Sequence, residues 1–406
     1  MKRQVGELKD TVAAICRAGG IPAADAEMIA DVLVTTDMRG IHSHGVVRLA
    51  RYLDCIRAGG IKPAAEPVIL SESANSIMAS ADGGLGIPAS MKVMRRLLDK
   101  AENSAISIAT LNHSDHYGAA GQYAMMAAER GFVGLSMSNT CPLVAPTGGR
   151  AAAIGNNPFA YAAPGKKHRA VLFDVCMSKV AAGKIEIARG AGKKIPTGWI
   201  LTQDGKDTDD PNEYWRGAVM LPFAEHKGYG FATMVEAMTG VLAMSGMMSG
   251  VHSWNMQPGM DADTGHCFIV INPAFFGGKD TLRERIDAMI DELKRCPTVE
   301  GVAEVLYPGE LEWRREAAAI ADGVELPAAS EKELARAAEM TSVNVQTKDL
   351  QGEAPITQEH VDNNAAVRKM LVERSIIPEN LPPAEDVKKV ERRLAIEEKK
   401  LLNNKG

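Results

Sequence analysis

SIMASADGGLGIPAS, residues 76–90, decides between two architectures for this chain. The run over 76–80 predicts a strand, Gly84-x-Gly86-x-x-Ala89 follows it, and helical periodicity is predicted over 88–101. On its face this is the glycine-rich turn of a Rossmann dinucleotide-binding unit. A genuine unit, however, ends its second strand on an acid that holds the ribose. Here the strand-like run over 105–111 leads into Asn112-His113, the nearest acids, Asp99 and Glu102, fall at the end of the helix, and Pro88 intrudes into the turn. The stretch therefore reads as a turn with Gly84 and Gly86 as turn glycines, not as a standard Rossmann site.

The same strand runs into the next informative segment, LNHSDHYG, residues 111–118. A helix is predicted over 119–130, closed by Gly131, and another strand over 132–138. The segment thus occupies a strand-to-helix turn, where open α/β sheets commonly present reactive groups. His116 in such a turn can act as general acid or base. Two histidines three apart could also bind a metal, but no third ligand accompanies His113 and His116 at ligand spacing, so no metal is expected.

Upstream, RGIHSHGVVR over 39–48 sets two histidines around one serine and brackets them with arginines. Helices are predicted over 5–18 and 23–36, and a third is predicted to begin near Ser43 and stop at Gly59-Gly60. On that reading His44 and Arg48, four residues apart, project from one face. A guanidinium can hold a carboxylate through two parallel hydrogen bonds while an imidazole handles the neighbouring oxygen. The competing reading is structural: Arg48 in an ordinary ion pair and His42 a surface residue.

Composition fits an ordinary globular protein. The chain has 406 residues, 46% hydrophobic and 24% charged, enough to bury a large core and hold more than one folding unit. A net charge of −5 gives no electrostatic footprint for nucleic acid or an anionic membrane. No run of eighteen apolar residues and no signal-type start occurs, so a cytoplasmic protein is expected. The six cysteines are scattered singly, which points to buried thiols in a reduced compartment.

Taken together, DMRGIHSHGVVR (37–48), NHSDHYG (112–118), GNNP (155–158), AAGK (181–184), IPTGW (195–199), HKGYG (226–230) and YPGE (307–310) closely resemble the malate/L-lactate dehydrogenase family over residues 1–338. That family also includes ureidoglycolate, sulfolactate and diketogulonate dehydrogenases and cyclic-imine carboxylate reductases. The resemblance implies an α/β fold with a mixed, largely antiparallel, non-Rossmann sheet that binds its dinucleotide extended. It implies a helical substrate and dimerisation domain (1–75 with 280–338), a sheet-containing cofactor domain (76–279), and a homodimer with the active site near the subunit boundary. It also implies NAD(P)-dependent interconversion of a small 2-hydroxy acid and its 2-oxo acid, of malate or lactate type, with ureidoglycolate or a cyclic imine acid as alternatives. His116 is the first acid–base candidate and His44 the second; Ser43 and Arg48 would hold the substrate. The cofactor, NAD or NADP, would lie along Thr140, Asp174, Val175, Cys176, Glu225, His226, Lys227, Pro308, Gly309 and Glu310.

The sequence departs from the family pattern in places. Ala224-Glu225 replace a glycine-rich pair before HKGYG, Cys176-Met177 stand where Ala-Thr is common, and Asn272 sits where a strand-end acid is frequent. Lys179, Lys184, Lys193 or Lys194 could serve a 2′-phosphate or simply form a solvated face. Beyond residue 340 the chain resembles the C-terminal end of DNA-damage-inducible protein D, with a half-amphipathic helix predicted over 361–375. That tail, 340–406, reads as an appended helical segment without a catalytic role, the alternative being an interaction protein acting through it.

Overall fold

The computed structural model describes residues 2–350, and residues Met1–Thr347 form one compact unit. Residues 340–350 of the expected tail continue a helix that begins at Ala328, and the remaining expectations for it, including the helix over 361–375, lie outside the described residues. Strand β1 (Lys2–Arg3), α1 (Val5–Ala18) and α2 (Ala23–Met38) open the chain. Helix α1 faces inward with Leu8, Val12, Ile15 and Cys16, and α2 with Ile29, Leu33 and Val34. Each such side chain contributes roughly 1.5–3 kcal/mol when fully buried.

Two short 3-10 turns, His42–His44 and Val46–Arg48, then precede α3 (Leu49–Ala58). The expected helix start near Ser43 is thus displaced to Leu49. Asp37 is the physical reason. Its buried carboxylate accepts from Val46 N at 2.7 Å and pairs with His42 Nδ1 at 2.8 Å, and it fills the space at Gly45 that a Cβ would occupy. The chain is drawn around this carboxylate instead of entering a helix directly.

The sheet begins at β2 (Val68–Glu72), followed by β3 (Ser76–Ser80), α4 (Gly86–Ala101), β4 (Ile106–Ser114), α5 (Gly121–Glu129), β5 (Val133–Ser138), β6 (Phe159–Ala163) and β7 (Val171–Val175). Next come α6 (Ala182–Gly190), the short pair β8 (Ile200–Leu201) and β9 (Val219–Met220), α7 (His226–Glu236) and β10 (Thr264–Ile271). Helices α8 (Lys279–Lys294) and α9 (Glu310–Asp322), strand β11 (Val324–Glu325) and α10 (Ala328–Leu350) complete the described chain.

The main sheet runs β2-β3-β4-β10-β5-β6-β7. Only β3 and β4 are parallel, joined by α4; the other neighbours are antiparallel. This is the mixed, largely antiparallel sheet expected, and it has no place for a Rossmann crevice. At its centre β10 is buried along almost its whole length, because helices and loops cover both faces. The glycine-rich stretch acquires a different meaning here. A Cβ on Gly86 would lie 2.1 Å from Asp115 O and 2.8 Å from His116 O, so this glycine lets α4 start directly against the His116 backbone.

The C-terminal elements close back on the N-terminal ones. Strands β1 and β11 pair antiparallel. The Glu316 carboxylate on α9 accepts from Arg39 at 2.7 Å and Arg169 at 2.8 Å, with both guanidinium groups over the Trp313 ring. Helix α10 buries Leu334 and Ala337, ties Arg336 to Asp54 at 2.6 Å, and accepts at Met340 O from Arg57.

Candidate active site

Three segments distant in sequence meet at one point. The 3-10 turns after α2 supply Ser43, His44 and Arg48; the loop from β4 to α5 supplies His116; and the loop before β10 supplies Trp254. The His44 and His116 rings lie 5.5 Å apart, centroid to centroid. Ser43 Oγ is 2.9 Å from His44 Nδ1, and Arg48 Nε donates to Ser43 O at 2.6 Å. That bond fixes the guanidinium and, among the described residues, leaves its terminal nitrogens open to fork onto a carboxylate. Helix α6 closes one side, since Gly183 stands against Ser43.

His116 is held from several directions. Its backbone N–H donates to Asp115 Oδ1 at 2.6 Å, and its Nδ1 meets the hydroxyl of Tyr52 at 2.8 Å, with the Gly118 N–H at 3.4 Å. The indole of Trp254 lies flat on its ring, 4.5 Å away and 7° from parallel. No hydrogen bond engages Nε2 among the described residues, so this nitrogen is the one available to a reactant. Tyr52 and Trp254 were not singled out in the sequence. Tyr52 had a signal, since it follows Arg48 by four residues in an apolar helix; Trp254 lies in a loop with no periodicity to mark it.

Burial, and then the Arg48 charge, lowers the His44 pKa to about 3. Burial first, then His44, Arg48 and His266, holds His116 well below the ordinary histidine value. Both rings are therefore neutral near pH 7, as a proton-accepting imidazole must be. The Asp115 carboxyl is raised to about 6, burial outweighing the His116 backbone N–H that it accepts. His266 is a core group: fully buried, it bonds Ser138 Oγ and Ser114 Oγ, each at 2.9 Å, and stacks on Tyr117. His113 stands apart on the surface beside Asp261 at 3.2 Å, away from His116.

The sequence-derived cofactor residues lie along β7, Thr140 and the turn before α7 toward its end and Pro308-Gly309 at its start, against Leu172. Met177 N donates to Asn156 O at 2.7 Å, Asn156 N donates to Thr140 Oγ1 at 3.1 Å, and Phe223 N donates to Met177 O at 3.0 Å. This links Thr140, the strand end Asp174-Val175-Cys176, and the turn Ala224-Glu225 that opens α7. Asp174 Oδ2 accepts from Gly121 N at 2.7 Å, next to the His116 loop, and Leu172 N donates to Pro308 O at 3.0 Å.

The donor set fits a dinucleotide. Helix α7 opens with exposed His226 and Lys227, and a helix N-terminus with an adjacent lysine favours phosphate oxygens. Gly309 has φ +95°, and a Cβ there would press on Leu172 at 3.0 Å, so Pro308-Gly309 forms a close turn against β7. The Glu310 carboxylate is engaged elsewhere, by Lys294 at 2.7 Å and by Arg314. The departure at Ala224-Glu225 has a structural correlate. Both residues hold positive φ, +43° and +55°, a backbone that favours glycine and costs of order 1–3 kcal/mol otherwise.

Comparison with known proteins shows the family and the fold. Residues 4–335 match the model of the malate/L-lactate dehydrogenase family. The chain is 39% identical to a malate dehydrogenase of Pyrococcus horikoshii over 286 residues, 68% of this chain and 77% of that protein. It is 36% identical to an L-sulfolactate dehydrogenase of Methanocaldococcus jannaschii over 296 residues, 73% of this chain and 84% of the relative. The solved sulfolactate dehydrogenase structure from Methanocaldococcus jannaschii superposes with a TM-score of 0.78 at 31% identity, covering 86% of this chain and 99% of that one.

Proposed function

The chain belongs to the malate/L-lactate dehydrogenase family, and from that premise we propose that it oxidises a small 2-hydroxy acid of malate or lactate type, and reduces the matching 2-oxo acid, with His116 as acid–base. The bound nicotinamide, of NAD or NADP, supplies the hydride acceptor and donor. The observation that carries the reading is the convergence of His116, with an open Nε2, on His44, Ser43 and a tethered Arg48.

Arg48 grips the substrate carboxylate, which leaves C2 and its oxygen as the part that faces His116. The Tyr52 hydroxyl can donate or accept. When His116 Nδ1–H donates to Tyr52 Oη, Nε2 carries a lone pair and takes the hydroxyl proton as hydride leaves C2. In the reverse direction the imidazolium, its Nδ1–H still donating to Tyr52 Oη, returns the Nε2 proton to the oxygen of the 2-oxo acid as C2 is reduced. Ser43 and His44 flank the same oxygen and carboxylate. Carboxylate binding at Arg48 also offsets one of the charges that hold His116 neutral, so substrate itself raises the basicity of the ring.

Thr140, Asp174-Val175-Cys176, Glu225-His226-Lys227 and Pro308-Gly309-Glu310 border the cofactor in this reading. The exposed apolar run Phe231, Met234, Val241, Leu242 and Met244 on and after α7 supports a homodimer through that face.

The test follows reduced-nicotinamide absorbance with NADH and NADPH against a panel of 2-oxo acids, cyclic imine acids included. Turnover of a malate- or lactate-type acid that His116→Ala lowers by about 10²–10⁴-fold is the expected result. Full turnover in His116→Ala would remove His116 from the chemistry.

A further inference from the structure

The acid–base role of His116, on which this inference rests, places a positive charge on the imidazole once per cycle. Histidines that serve this way commonly set their second nitrogen against a carboxylate. Here, among the described residues, Nδ1 meets only a neutral hydroxyl and a backbone N–H. The carboxylate next to this histidine in sequence, Asp115, accepts from the His116 backbone N–H and not from the ring. The other charged or titratable groups packed around the ring oppose a cation or are engaged elsewhere. His44 and Arg48 face it from the turns after α2, and His266 from β10. On α3, Arg51 donates to the carbonyls of Trp254 and Asn255, and Cys55 Sγ–H donates to Trp254 O at 3.5 Å. Asp261 pairs with His113.

What does lie on the ring is the indole of Trp254. The two ring centroids are 4.5 Å apart and the planes 7° from parallel, and the Arg48 guanidinium sits 5.7 Å from the centroid of the same indole. The face of an indole is the negative end of its quadrupole and attracts a cation placed over it. The position of this indole is built, not incidental. Besides the Arg51 and Cys55 contacts to its own carbonyl, the loop presses Pro258 O and Met260 O against Gly60, where a Cβ would meet them at 2.2 and 2.8 Å. His252 Nδ1 bonds Asp261 O at 2.8 Å across the loop.

The geometry points to Trp254 as a positioning residue for the proposed reaction: its ring face stabilises the His116 imidazolium, the role that a carboxylate at the ring nitrogen commonly has. The proton balance is unchanged by this. The substrate hydroxyl proton passes to His116 Nε2, a bound nicotinamide would supply the hydride acceptor, and the imidazolium then returns the proton to solvent.

The experiment replaces Trp254 alone, in the full chain, with mono-, di- and trifluorotryptophan, which keep the shape of the ring while draining its quadrupole. Trp254→Leu and His116→Asn are made alongside. The expected result is a stepwise fall of kcat in both directions, reaching about three- to thirtyfold, with KM within about twofold and an unchanged melting temperature. The acid limb of the pH profile shifts down with each fluorine, in the order mono, di, tri. A series in which kcat stays flat overturns the proposal, because shape alone would then suffice. A series that raises KM and leaves kcat alone also overturns it, since the indole would then act on Arg48. His116→Asn with full turnover would overturn the acid–base reading itself, a failure distinguishable from a flat fluorination series.

Discussion

Tyr52→Phe removes one oxygen from a residue that is 1% exposed and leaves the rest of the ring in place. Among the described residues that oxygen bonds only His116 Nδ1, at 2.8 Å. Without it Nδ1 faces the Gly118 N–H at 3.4 Å and nothing else among the described residues. A neutral buried hydrogen bond contributes about 0.5–1.5 kcal/mol net, and an imidazole nitrogen left without its partner costs about 1–3 kcal/mol. The loss falls where it matters most, when the ring is protonated and Nδ1–H needs an acceptor. A barrier increase of about 1.4–2.8 kcal/mol corresponds to a tenfold to hundredfold fall in kcat. KM should move by less than about threefold, because Tyr52 Oη touches the imidazole and not the carboxylate grip. The assay is initial-rate nicotinamide absorbance in both directions, with folding checked by thermal melting. A variant whose kcat stays within twofold of the parent would refute the claim that Tyr52 holds His116 in its working orientation.

Three further outcomes follow from the same geometry. Arg48→Lys loses the planar fork and the Nε bond to Ser43 O, so KM for the 2-oxo acid should rise about 10–100-fold with a smaller change in kcat; steady-state kinetics that show an unchanged KM would remove Arg48 from the carboxylate site. Gly86→Ala, ordinarily favourable in a helix, should here destabilise by about 1–3 kcal/mol in urea unfolding and depress turnover, because its Cβ meets Asp115 O at 2.1 Å. His266, lowered to about 3 by burial, binds a proton more readily unfolded than folded between that value and the ordinary pKa near 6.5, so its contribution to stability is lost as pH falls through this window. His266→Gln should therefore show a ΔG-against-pH slope shallower by about 1.4 kcal/mol per pH unit there, and an identical slope would contradict the assignment.

Much of the site was legible in local sequence because it is built from contiguous motifs. DMRGIHSHGVVR carries Ser43, His44 and Arg48, and NHSDHYG carries His116 at the strand-to-helix turn where it is found. Rejecting Gly84-x-Gly86 as a nucleotide turn also rested on local facts, a missing acid and a proline. The start of α3 was misplaced because a carboxylate six residues before Ser43, Asp37, reorganises the turns, and helical periodicity carries no record of such a bond. Gly86 was read as a turn glycine; its reason for being glycine is the His116 backbone thirty residues away.

The sequence by itself therefore determined which side chains could perform acid–base chemistry and carboxylate binding, since those abilities belong to residue types at short spacing. The tertiary structure alone decided how they are tuned. Tyr52 reaches His116 across 64 residues of chain, and Trp254 comes to it from a loop another 138 residues on. Burial, which sets the charge of both candidate acid–base histidines, is a property of everything packed around them and is written at no single position.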